Sequence, residues 1–301
     1  MIRRLDGLLQ GDYRTLFHGF GLDLAELREY QFTDDVRYID WNVTARMHTP
    51  YVRQYTEDRE ITAWFLLDLS PSVDFGTVRT LKRNLLIDFT TVLARLLTRH
   101  GNRTGAIFYS GKVERIIPPG GGRLQVLRLI KDLIAQPHAK RAPATNLSTL
   151  LEAALGVIRR RSLVFIISDF ISAPGWAKPL GTLAQRHEVL AARLTDPREV
   201  ELPDIGQIIM EDSETGEQLY IDTHNKGFRQ RFAEAARRRE YELGVTFRRA
   251  GVDLVTLSTE GDLVRELIRF AMLRKQRKLT PASFAGAGVS SRPAPASGAA
   301  G

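Results

Sequence analysis

Two runs of strand-forming apolar residues each lead into an aspartate, and that pairing limits the folds open to this chain. Ile61-Thr-Ala-Trp-Phe-Leu-Leu67 runs straight into Asp68, and Ser162-Leu-Val-Phe-Ile-Ile167 leads through Ser168 to Asp169. A strand without polar alternation has both faces covered, as in a parallel sheet packed between helices. Helical periodicity fills the intervals. Leu81, Leu85, Leu86, Phe89, Val92, Leu93 and Leu96 mark the apolar face of a helix predicted over 78–98, closed by Gly101. Further strands are predicted at 104–109, 113–117, 188–194 and 252–258, and helices at 124–135, 146–159, 177–186, 228–249 and 263–273. A hairpin is expected where 207–210 and 218–221 flank Glu214-Thr-Gly216. Alternation at this spacing predicts an α/β fold: a doubly wound, mostly parallel sheet with helices on both faces.

Three stretches follow. Residues 1–58 are rich in charge and aromatics, with a helix expected at 2–10 through Leu5, Leu8 and Leu9 and short irregular or extended pieces after it. They read as a segment packed on the main domain. Residues 59–275 carry the strand–helix alternation. Residues 276–301 are Ala, Gly, Ser and Pro in low-complexity order, too poor in apolar surface to offset ordering entropy, and are expected to be disordered.

The residues after the two apolar strands carry oxygen. Asp68-Leu-Ser70-Pro-Ser72 places a carboxylate and two hydroxyls at the end of one strand, and Asp169 lies at the end of the other. Thr145 stands at the start of the helix beginning with Asn146, where it could also serve as a cap. In a doubly wound sheet, residues beyond the carboxyl ends of adjacent central strands share one crevice. Asp68, Ser70, Ser72, Thr145 and Asp169 can therefore meet around one ion. Such hard donors suit Mg²⁺ or Mn²⁺ rather than zinc.

These five positions resemble the metal-ion-dependent adhesion site of von Willebrand factor type A domains, over residues 60–275. The resemblance implies that Ser70, Ser72 and Thr145 coordinate through hydroxyls and that Asp68 and Asp169 act directly or through water. It also implies an open position for an acidic side chain from a partner. Val73-Asp74 stands where many relatives carry methionine.

The N-terminal segment narrows the resemblance. Gly19-Phe-Gly21, Glu26-Leu-Arg28-Glu29-Tyr30, Asp34-Asp35-Val-Arg37-Tyr-Ile-Asp40-Trp41, Ala45-Arg46, Tyr51-Val-Arg53-Gln-Tyr and Glu57-Asp-Arg59-Glu60 resemble the block of the domain of unknown function 58 family. Thr33 departs from its common glycine. Members carry a type A domain downstream and are associated with MoxR-type AAA+ ATPases. The resemblance implies a role in chaperone-like maturation or assembly of a client protein. Physically, the interleaved carboxylates and guanidiniums can form bidentate pairs. These would dock the segment on the sheet domain or frame a partner surface around Trp41.

Composition removes other classes. The chain has no cysteine, which excludes disulfides, thiolate zinc sites and cysteine nucleophiles. No signal peptide or membrane span is evident, so a cytoplasmic location is expected. Net charge is +8, but Arg274, Lys275, Arg277, Lys278 and Arg292 place five of those charges from Arg274 onward. Arg159-Arg160-Arg161 and Arg237-Arg238-Arg239 read as solvated helix faces, and basic runs lack interleaved aromatics, so no nucleic-acid partner is expected. Gly120-Gly121-Gly122 reads as a turn before a helix, because no Gly-Lys-Ser/Thr follows. His18, His48, His100, His138, His187 and His224 occur singly, as surface or helix-end residues. A phosphatase of the haloacid-dehalogenase type would need an acid at Ser70. The chain is therefore expected to be an Mg²⁺-dependent interaction adaptor and not an enzyme. The alternative is a metal-dependent hydrolase using Asp68 and Asp169.

Overall fold

The computed structural model describes residues 26–31, 34–47, 49–54, 61–138, 145–212 and 214–269. The helix expected at 2–10 and the tail from 276 lie outside the described residues.

The central sheet takes six strands: β3 (Thr62–Asp68), β4 (Arg103–Tyr109), β5 (Val113–Gly120), β6 (Leu163–Ser168), β7 (Glu188–Thr195) and β10 (Asp253–Ser258). Their order is β10-β7-β6-β3-β4-β5, and every neighbouring pair is parallel except β4–β5. From the β3–β6 pair the chain winds outward in both directions, so a crevice opens beyond their carboxyl ends. The expected doubly wound, mostly parallel sheet is what the chain forms.

Burial explains the central strands. Every residue of β6 is buried, as is all of β3 after Thr62. Alternate side chains feed two separate cores. Ala63, Phe65 and Leu67 pack with α2 (Lys82–Arg99), α3 (Gly122–Ile134) and Leu263 and Leu267 of the helical stretch 263–269. Trp64 and Leu66 pack with α4 (Leu147–Val157), α5 (Ala177–Arg186) and α6 (Lys226–Ala250). Phe65 stacks on Phe165 of the neighbouring strand with ring centroids 5.1 Å apart. Each such buried side chain contributes about 1.5–3 kcal/mol of transfer free energy.

Two boundaries depart from the periodicity. The helix predicted from 78 begins at Lys82, because Thr77 is held outside it. Its N–H and hydroxyl donate to the two oxygens of Asp196 at 2.7 and 2.6 Å. Gly76 is required in that turn, since a Cβ would lie 2.4 Å from the Thr80 carbonyl oxygen. Strand β5 runs on through Pro118 and Pro119, which an edge strand tolerates.

The described part of the N-terminal segment is more ordered than expected. Strands β1 (Glu26–Glu29) and β2 (Tyr51–Gln54) pair antiparallel and bracket helix α1 (Trp41–Met47). Asp40 starts that helix by accepting from the Asn42 N–H at 3.0 Å. The anticipated pairs form locally. Arg28 grips Asp34 with two bonds of 2.7 and 2.6 Å, and Arg37 binds Asp35, two residues away. Trp41 is 69% exposed.

A small antiparallel hairpin, β8 (Gln207–Glu211) with β9 (Gln218–Asp222), forms as expected between β7 and α6. The arginine runs at 159–161 and 237–239 are exposed. Of the histidines expected at surfaces or helix ends, His187 does end α5 but is buried. No helix among the described residues is long and apolar enough to cross a membrane.

Candidate metal centre

Asp68 is the last residue of β3, in register with Tyr109 of β4. Its carboxylate is completely buried. Oδ1 accepts the Ser70 N–H at 3.0 Å, and Oδ2 accepts the Ser168 hydroxyl at 2.6 Å. Pro71 then starts a one-turn 3₁₀ helix, Pro71–Asp74, that folds Ser72 back toward the strand end. The hydroxyls of Ser70 and Ser72 lie 3.0 Å apart, both buried. Asp74, which ends that turn, pairs with Arg83 at 3.0 Å.

Asp169 follows β6 and is also buried. Its Oδ1 accepts the Ile171 N–H at 3.0 Å, and its Oδ2 accepts from Lys82 Nζ at 2.8 Å. The next residue, Phe170, has φ of +58°, a left-handed conformation uncommon for a side chain this bulky. Packing holds it there: its ring lies 5.7 Å from Trp176 and 4.9 Å from Phe247, centroid to centroid. The sharp turn directs the chain from Asp169 toward Ser172.

Thr145 precedes α4 but does not cap it. Asn146 is the cap, accepting from the Ser148 N–H at 3.0 Å. The Thr145 carbonyl is bound instead by the Ser172 hydroxyl at 3.1 Å and the Ala173 N–H at 2.8 Å. Asn146 N–H donates to the Tyr109 hydroxyl at 2.9 Å. Thr145 is thus tied to the loop after Asp169 and to the strand residue opposite Asp68. The structure gathers all five expected positions at one end of the sheet. Asp68, Ser70 and Ser72 are linked directly, Asp169 follows Ser168, which bonds Asp68, and Thr145 joins through Tyr109 and the 172–173 loop.

Other residues here were not visible in the sequence. Lys82 is fully buried in the first turn of α2, where a cation opposes the helix dipole. It binds Asp169 and, at 2.6 Å, Glu199, with its ammonium 5.7 Å from the Phe75 ring centre. Burial depresses its pKa, but the charges of Asp169 and Glu199 and the bonds to them outweigh this, and the ammonium ends above its ordinary value. Glu214, at the tip of the β8–β9 hairpin, accepts the Thr145 N–H at 2.7 Å on one oxygen and the Thr145 hydroxyl on the other. Lys82 fell inside the helix expected from 78, so no local signal marked it. Glu214 offered none beyond its turn.

The electrostatics leave the Asp68 charge without an ion pair among the described residues. Burial, reinforced by the charge of Asp169, pushes the Asp68 carboxyl up to about 6, against the bonds from Ser168 and Ser70. Asp68 forms no ion pair among the described residues. A cation placed beside it would relieve that cost. Each oxygen of Asp68 and Asp169 accepts one hydrogen bond and keeps lone-pair capacity. With the buried hydroxyls of Ser70, Ser72 and Thr145 they form an all-oxygen donor set whose chemistry fits Mg²⁺ or Mn²⁺.

The chain belongs to the DUF58 family of proteins of unknown function, whose family profile matches residues 26–242. It is 37% identical over 279 residues to the uncharacterized protein Rv1480 of Mycobacterium tuberculosis, a match covering 92% of this chain and 87% of that one. An uncharacterized Mycobacterium avium protein, MAV169, is 36% identical over 165 residues, which is 54% of this chain and 96% of that protein. Among solved structures, BatB from Bacteroides thetaiotaomicron aligns over 72% of this chain and 99% of its own, with a TM-score of 0.45 and 13% identity. The SpRpn10 VWA domain aligns over 69% and 93%, with a TM-score of 0.36 and 14% identity. Similarity at that level leaves function open.

Proposed function

We propose that this chain is a non-enzymatic adaptor of von Willebrand type A character, binding an acidic group of a partner protein through Mg²⁺ or Mn²⁺ at the sheet end. The observation that carries this reading is Asp68, a buried carboxylate with neutral donors only, beside Asp169 and two buried hydroxyls. Asp68 and Asp169 would hold the ion directly or through water, and Ser70, Ser72 and Thr145 would complete the protein share of its shell. The ion's role is that of an electrophile with a position for a partner's carboxylate. The protein's own residues fix the oxygens in place, through the Ser168 bond to Asp68 and the Lys82 bond to Asp169.

Hydrolysis has less support. The position two residues after Asp68 is Ser70, whose hydroxyl cannot act as a carboxylic general acid at neutral pH. The resemblance carried by the N-terminal block adds a partner class to the reading: a MoxR-type AAA+ ATPase, with a client protein matured or assembled by the pair. The test is co-purification of a MoxR-type ATPase with the tagged chain, with and without EDTA. Capture that EDTA abolishes supports the adaptor reading. Capture indifferent to EDTA and to Asp68→Ala removes the cation from it, and no capture removes the ATPase.

A further inference from the structure

Glu214 brings a carboxylate of this chain onto the candidate site at Thr145. Its two oxygens take the N–H and the hydroxyl of Thr145, and Thr145 is one of the five oxygen-bearing positions. The contact spans 69 residues of sequence and joins the hairpin tip to the loop before α4. It is therefore a tertiary contact and not a local turn.

The hairpin is built to present this group. Asp212 Oδ1 accepts the N–H groups of Glu214 and Thr215 at 2.8 and 2.9 Å. Those bonds hold the Asp212 carboxyl below its ordinary pKa, so it stays ionised as the base of the tip. Gly216, with φ of +73°, turns the chain back and donates its N–H to the Asp212 carbonyl at 2.8 Å. Below the tip, Ile209, Leu219 and Tyr220 remain exposed, so the hairpin is not sunk into the apolar core.

Charge points the same way. Asp169 is already paired with Lys82. Asp68 and Glu214 are in no ion pair among the described residues. The buried Tyr109 hydroxyl registers both of them: after burial itself, the charges of Asp68 and Glu214 raise its pKa. Two carboxylates outside any ion pair among the described residues thus act on one tyrosine. Together they carry the two negative charges that a divalent ion needs for neutrality.

We propose that Glu214 is the site's own acidic ligand, swung in on the β8–β9 hairpin, and that a partner's carboxylate must displace it. This rests on the cation reading given above and adds a regulated, self-occupied state to it. Backbone bonds at the tip, rather than a buried core, set the hairpin's resistance to displacement. The site then exchanges an internal carboxylate for an external one without leaving the ion's charge unbalanced.

The experiment is Mn²⁺ binding to the full chain, followed by electron paramagnetic resonance and by water-proton relaxation of the bound ion. Glu214→Gln should weaken Mn²⁺ binding by at least about tenfold, a loss typical of removing a group that supports a metal. It should also raise the number of waters exchanging on the bound ion. Glu217→Gln, an exposed change on the same hairpin, should alter neither. If Glu214→Gln leaves affinity and hydration unchanged while Asp68→Ala abolishes binding, the cation site stands and the internal ligand is overturned. If the wild type binds no Mn²⁺, both are overturned.

Discussion

Among the places where carboxylates meet cations in this molecule, the N-terminal segment and the sheet end differ most in burial. In the N-terminal segment Arg28 holds Asp34 and Arg37 holds Asp35, with the Arg37 side chain 84% exposed. Geometry there is good, yet water competes for every bond, and such pairs contribute about 0–1 kcal/mol. At the sheet end Lys82 holds Asp169 and Glu199 with its own side chain wholly buried. There the same chemistry cannot be surrendered cheaply, because an abandoned charge has no water to turn to. The first region shapes a surface. The second fixes the positions of the Asp169 and Glu199 oxygens.

The largest effect should come from breaking the buried pair. Lys82→Met should cost about 3–5 kcal/mol, since it strands Asp169 without its cation partner. Urea denaturation would measure it, with Arg37→Ala as the control expected to shift by less than about 1 kcal/mol. Equal effects would erase the contrast between the two regions.

A smaller effect of opposite sign should come from Asp68. Its folded pKa, about 6, lies above the ordinary carboxylate value. A raised pKa means stability present below the unfolded value and lost as pH rises through about 6. In chelator at pH 7, neutral Asp68→Asn should therefore be more stable than the wild type, by on the order of 2–3 kcal/mol. The gap should close toward pH 4. Thermal unfolding across that range checks it, and parallel profiles for the two proteins would contradict it.

How far the sequence reached depended on range. The two apolar strands, their terminal Asp68 and Asp169, and the sheet they imply were legible because full burial writes an unbroken run. Helix α1 was not, since it buries no residue and so carries no periodic face. Its one local sign was Asp40 ahead of Trp41. Lys82, Ser168 and Glu214 enter the site through contacts spanning 87, 100 and 69 residues. No local pattern encodes such distances. Thr145 was legible as a residue at a helix start, but its freedom from capping became visible only once Asn146 took that task.

The adaptor reading rests on the proposal that the oxygens of Asp68, Ser70, Ser72, Thr145 and Asp169 hold a divalent cation. Isothermal titration of the full chain with Mg²⁺ or Mn²⁺, beside the Asp68→Ala, Asp169→Ala double variant, tests it most directly. Saturable binding of one ion per chain is expected in the wild type and none in the variant. Equal binding by both, or none by either, would contradict it.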